Sequence, residues 1–208
     1  MVMSHEAATG PSKQVAPRRR GPVLERAILK AALEQLSTVG WRGLTMEGVA
    51  SAAQTGKAAV YRRWPSKQAL ATDALQAALP AVPDVPDLGS LREDLLFLVL
   101  RMREAMYSQS GLALRAVIDE SDHETAHCFV RLVVEGVVEP TKHRILDVVR
   151  RGVERGEVRP DATGDIVADV VPALMMYRSK IGGREISERD LVEVVDQVML
   201  PLLRPWGA

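Results

Sequence analysis

The spacing in this 208-residue chain closest to that of a catalytic centre is His123-Glu124-Thr125-Ala126-His127. In an H-E-x-x-H arrangement two histidines at i and i+4 share one helical face and can bind zinc, while the glutamate between them activates a water. A catalytic centre also needs a third protein ligand. Glu135 and Glu139 follow, but no further histidine motif does, and His143 is the only later histidine. A simpler account of the glutamate is local. Ser121-x-x-Glu124 reads as a capping box, which places Glu124 at the third helical position, bonding back to the start of its own helix. A zinc-dependent hydrolase using His123 and His127, or a metal-sensing site, therefore stands as the alternative. The favoured reading is no enzyme, no metal and no cofactor. Cys128, beside His127, is either a thiol that contacts a ligand or a small buried hydrophobe. As the single cysteine it excludes an internal disulfide framework.

A second group of functional side chains lies between Thr45 and Lys67. Two short helical patterns meet there at a tight break. The first places Met46, Val49 and Ala50 on one buried face behind Thr45 as N-cap. The second starts at Lys57 with Gly56 as its N-cap, buries Val60 and Trp64, and turns Lys57, Tyr61, Arg62 and Arg63 outward. This is the pattern of a helix-turn-helix in which the second helix reads DNA. Charge segregation supports it. Residues 1–79 carry eleven Lys/Arg against five Asp/Glu, a balance of +6, and the remainder of this formally neutral chain balances it at −6. A basic module joined to an acidic one suits phosphate neutralisation by the first module alone.

Tyr61-Arg62-Arg63-Trp64-Pro65-Ser66-Lys67 resembles the TetR family of one-component bacterial regulators. The likeness is close in this motif and architectural elsewhere. It departs at Gln54, where the family usually has glycine in the turn, at Gly56, where serine is usual, and at Ala58-Ala59, where many relatives carry polar residues. The resemblance implies an all-α chain, with a three-helix DNA-binding domain followed by a larger helical ligand-binding and dimerisation domain. It also implies a homodimer, on a palindromic operator in double-stranded DNA, that a small-molecule effector releases. Lys57, Ala58, Ala59 and Arg62 are expected at bases or in the groove, and Thr45, Tyr61, Arg63 and Lys67 at phosphates, with Thr55 also in the DNA-binding set.

The positioning elements follow from periodicity. Residues 1–20 form a polar, flexible basic arm ending in Arg18-Arg19-Arg20, which can enter the adjacent minor groove. Residues 21–66 make the DNA-binding unit. Its first helix begins near Gly21-Pro22 and stops near Gly40, with Trp41 and Leu44 sealing a small core. Residues 67–208 make the regulatory domain, with a helix from Pro65-Ser66-Lys67 serving as the lever and PAVPDVP (80–86) as linker. Further helices are read at 91–107, from Gly111, over 122–155 with a kink or division at Pro140, at 165–181 and at 187–203. Met102, Met106, Tyr107, Arg115, Cys128, Met176 and Tyr177 are candidate effector contacts, with Met175 and Phe129 in the same group. Plain core packing explains the apolar members equally well, and surface exposure is the expectation for Arg115 and Arg178. The dense apolar stripes of the last two helices point to burial against a second subunit. No membrane span is present, and the N-terminus lacks an apolar signal core, so a cytoplasmic location is expected. A DNA-binding regulator without an effector is the remaining alternative.

Overall fold

A computed structural model describes residues 20–181 and 184–205, and Arg18 and Arg19 lie outside the described residues. Every regular element among the described residues is helical. The first four helices are α1 (Gly21–Gly43), α2 (Met46–Ala52), α3 (Lys57–Tyr61) and α4 (Lys67–Ala78). After a coil come α5 (Leu91–Tyr107), α6 (Gln109–Glu120), α7 (His123–Val133), α8 (Glu139–Glu154), α9 (Asp165–Lys180), α10 (Glu188–Val194) and α11 (Leu200–Leu203).

The interruption expected at Pro140 takes the form of a change in helical turn. α7 runs into α8 through a π-helical stretch, Val134–Val138, and α10 runs into α11 through another, Val195–Met199. In both cases a proline follows two residues later, Pro140 and Pro201. Proline lacks an N–H and crowds the carbonyl four residues back, and widening the preceding turn accommodates it without ending the helix. The capping assignment near His123 also shifts by one residue. Asp122 is the N-cap, accepting from Thr125 N at 2.9 Å, while the Ser121 hydroxyl donates back to the Val117 carbonyl. Glu124 is therefore at the second helical position, not the third.

Two hydrophobic cores organise the chain. The first holds α1 to α4 together with Ala113, Leu114 and Val117 of α6 and Phe129 of α7. The second joins α5, α8, α9 and the C-terminal helices around Leu95, Leu98, Ile145, Val149, Val171 and Leu191. Burial of these aliphatic side chains, each worth about 1.5–3 kcal/mol, is the main reason the helices form at all, since short helices are marginal alone.

The linker is tied down by charge. Asp94, completely buried in α5, accepts from Leu88 N at 2.8 Å, from Arg151 at 3.2 Å and from Arg155 at 3.1 Å. Arg151 also donates to the Val85 carbonyl at 2.8 Å. Arg178, expected at the surface, instead pairs with Asp190 at 2.9 Å. Asp190 closes the Ser187 capping box and also accepts from Arg184, whose guanidinium holds its carboxyl well below the usual carboxylate range. Removing the buried carboxylate of Asp94 leaves Arg151 without its carboxylate partner and Leu88 N without its acceptor, while Arg155 keeps Asp87 and Glu157. Asp94→Ala is predicted to lower unfolding stability by about 3–5 kcal/mol in urea denaturation followed by circular dichroism.

Candidate nucleic-acid interface and ligand cavity

The turn of the helix-turn-helix is a Schellman closure carried by a non-glycine residue. Gln54 N donates to the Ser51 carbonyl at 3.0 Å and Thr55 N to the Ala50 carbonyl at 2.9 Å, with Gln54 at φ +56°. A left-handed residue with a side chain costs about 1 kcal/mol relative to glycine, and the buried Val49, Ala50, Ala53 and Val60 around it offset that cost. Thr45 caps α2 by accepting from Gly48 N at 3.1 Å, and Ser66 caps α4 by accepting from Ala69 N at 3.1 Å. Trp64 is buried, and its indole N–H donates to Asp73 of α4 at 2.8 Å, so the end of the reader is fixed directly to α4.

The exposed face of this unit brings Thr45, Lys57, Ala58, Tyr61, Arg62 and Arg63 together, with Thr55 half-buried at the turn and Arg20 exposed ahead of α1. Ala59 does not join them. It is 6 % exposed and packs inward beside Val60, because a five-residue helix turning Ala58 and Arg62 outward must turn its intervening position toward the core.

Three of the basic groups already have partners. Lys57 forms an ion pair with Glu47 of α2, which raises the ammonium above its ordinary value and lowers the carboxyl below its own. Arg63 donates to the Ala59 carbonyl at 3.0 Å. Lys67 donates to the Trp41 carbonyl at 3.0 Å and sits 4.3 Å from the centre of the Trp41 ring. Arg62 alone among the reader's cations makes no hydrogen bond or ion pair within the described residues. Glu47 carried no sequence signal as a charge partner, since its meeting with Lys57 depends on how the turn folds α2 onto α3.

Among α5, α6, α8, α9 and the coil after α4 lies an open-mouthed cavity of about 450 Å3 with mainly apolar walls. Met102, Met106, Met175, Met176 and Arg115 line it. The other candidates do not. Tyr107 is occupied in accepting, through its hydroxyl, a bond from Ile186 N at 2.8 Å, with Arg103 and Arg115 against its ring. Tyr177 faces out at 58 % exposure, Cys128 is half-buried on α7, and Phe129 packs edge-on to Trp41 at 5.7 Å in the first core. Periodicity could not separate these, because α9 is apolar on two sides and only packing decides which side meets the cavity. Sequence reasoning also missed Thr141, Lys180 and the segment Leu79–Pro83, which complete the wall. His123 and His127 are exposed, and no group of three His, Cys, Asp or Glu among the described residues is arranged to hold a metal ion. No helix among them is long and apolar enough to cross a membrane.

One helix touches both features. Gly111, Leu114, Arg115 and Ile118 of α6 line the cavity, while Ala113 and Val117 enter the first core against α1. At its end the Glu120 carboxylate accepts from Arg42 N at 3.1 Å. It nests against Gly40 (φ +71°), where a Cβ would lie 2.5 Å from a carboxylate oxygen. Gly40 breaks α1 here as expected, and the glycine is needed for both its backbone angle and this close approach.

A helix-turn-helix with an exposed basic reader, carried on a helical body that contains a cavity, defines a DNA-binding regulator. Residues 28–74 match the family described as bacterial regulatory proteins, tetR family, and residues 85–198 match the tetracyclin repressor-like C-terminal domain. An uncharacterized HTH-type transcriptional regulator of Mycobacterium tuberculosis is 33 % identical over 93 % of this chain and 96 % of its own length. The DNA-binding transcriptional repressor TetR of Mycobacteroides abscessus is 30 % identical over 89 % of this chain and 97 % of its own. A TetR transcriptional regulator from Agrobacterium tumefaciens has the same fold, with a TM-score of 0.65 at 19 % identity over 90 % of this chain and 97 % of that one. The chain belongs to the TetR family and is a DNA-binding transcriptional regulator.

The Lys57–Glu47 ion pair has to open before Lys57 can meet DNA, so Glu47→Gln is predicted to raise affinity for duplex DNA a few-fold and to steepen its salt dependence. Lys67→Ala, at a residue expected on a phosphate, is predicted to shallow that dependence by about one unit. Fluorescence anisotropy titrations between low and moderate salt measure both. Identical slopes for the two variants and the wild type would contradict the assignment.

Proposed function

We infer that the chain is a homodimeric repressor that binds a palindromic operator and lets go when a small molecule occupies the cavity. The observation that carries this reading is the double contact of α6, with the cavity on one face and α1 of the DNA-binding unit on the other. A ligand shifts the regulator only if it binds one arrangement of the two readers more tightly than the other. Two elements can transmit that preference. α6 reaches α1 through Glu120 and Gly40, and α4 reaches the cavity through Leu79 at its end and the reader through the Trp64–Asp73 bond. In this reading the helix following the reader is the lever and α6 a second arm.

Dimerisation through α9 and the C-terminal helices is supported by what those helices leave uncovered. α9 buries Val167, Ala168, Val171 and Met175 inward and still presents Ile166 (80 % exposed), Tyr177 and Ile181 (74 %) along a second face. Val198 and Leu202 near the C-terminus are exposed as well. Leu191, Val194 and Val195, expected in the same interface, belong to the chain's own core. A two-fold pair joined here would present two readers to successive major-groove faces.

The repressor assignment follows the named repressor among the relatives and the family resemblance. Selection from randomised duplexes with the purified chain is predicted to enrich an inverted repeat. Tyr177→Glu with Ile181→Glu should sediment as a monomer and bind that repeat at least tenfold more weakly. Enrichment of a single, unrepeated half-site, or a double variant that stays dimeric, would contradict the symmetric dimer.

A further inference from the structure

The cavity's charged side chains are not equivalent. Arg101 pairs with Glu104 and Lys180 with Asp119, so each has an ionic partner beside it. Arg115 has none. Its half-buried guanidinium donates to the Ser179 hydroxyl and lies 5.7 Å from the Tyr107 ring centre, and no carboxylate among the described residues forms an ion pair with it. The same wall carries an unsatisfied polar group. Thr141 is 1 % exposed, and its hydroxyl has no hydrogen-bond partner. Buried polar atoms are normally paired, and a cation held at an apolar cavity without a counter-charge is a standing preference for an anion. Beyond these groups and Ser108, and with the Glu104 carboxylate held by Arg101, the wall is formed by side chains such as Leu98, Met102, Met106, Leu114, Ile118 and Val137, which offer hydrocarbon and thioether surface.

Resting on the reading of this cavity as the effector site, we propose that it takes an amphipathic organic anion. The apolar body lies among the methionines and aliphatic side chains, where unbranched thioethers adapt to its shape. The anionic head, a carboxylate or a group of similar charge and size, accepts from Arg115, with the Thr141 hydroxyl as a second donor to a ligand oxygen. A neutral head forgoes the charge-assisted bond and leaves Arg115 uncompensated. An amine head meets Arg115 with like charge. A cavity of about 450 Å3 lies within the roughly 300–1,000 Å3 range of small-molecule sites.

The test uses the full chain, with the neutral fluorophore prodan as a reporter of cavity occupancy. Decanoate, decanol and decylamine, matched in chain length, compete with it. Decanoate is expected to displace prodan about tenfold more tightly than decanol, the difference that one charge-assisted hydrogen bond makes, and decylamine to compete least. Arg115→Gln should erase the preference for decanoate over decanol while prodan affinity stays within about twofold, which also reports an intact cavity. Arg115→Lys, which keeps the charge, should retain part of the preference. Thr141→Val should weaken decanoate binding by a smaller factor. Prodan binding with no preference for decanoate, or a preference that survives in Arg115→Gln, overturns the anion proposal and leaves the effector site standing. Failure of prodan and all three competitors to bind overturns both.

Discussion

The structure depends on α6 having two apolar faces. An amphipathic helix normally buries one stripe and gives the other to solvent. Here Ala113 and Val117 enter the core shared with α1, and Leu114 and Ile118 stand at the cavity. A helix in that position cannot yield on one side without disturbing the other, because packed interiors deform by discrete rearrangement. The corner before it is equally constrained. Ser108 ends α5 and caps α6 at once, accepting from Gly111 N at 3.2 Å, and a Cβ on Gly111 would lie 2.4 Å from the carbonyls of Ala105 and Met106. The start of α6 is thus held tightly to α5, and the end is held to the DNA-binding unit by Glu120.

The reader itself is restrained by the chain's own groups. Lys57 is shared with Glu47, Arg63 with a helix carbonyl, and Lys67 with Trp41, whose ring in turn packs on Phe129 of α7. Binding a phosphate backbone exchanges some of these bonds for others, so the affinity gained per cation is smaller than a count of arginines and lysines suggests. Trp41, read from the sequence as a seal for a small three-helix unit, is also the aromatic link between that unit and the regulatory helices.

What was legible in the sequence was what depends on short-range pattern. Helix positions, the Thr45 and Ser66 caps, the buried Trp64, the break at Gly40 and the outward turn of Arg62 all follow from spacing within a few residues. Pro140 marked where the long helix is interrupted, but not that the interruption is the π-helical turn Val134–Val138 rather than a break. Ala59 was misplaced because a helix of five residues has room for few outward positions. The cavity was half legible. Its methionines stand out by composition, but whether Tyr107, Phe129 or Tyr177 joins them depends on long-range packing, and so do the Glu120–Arg42 contact and the unpaired state of Arg115.

The central claim is that the state of the cavity sets the grip on DNA, and filling the cavity without any ligand tests it most directly. Ala105 lines the wall on α5, away from the DNA-binding surface. Anisotropy titration of the selected inverted repeat with Ala105→Trp, checked for native helicity and dimeric state, gives the answer. The account predicts binding about tenfold weaker at an unchanged salt slope, because fewer molecules hold the competent arrangement while each still makes the same phosphate contacts. Wild-type affinity in a folded, dimeric Ala105→Trp protein would contradict it.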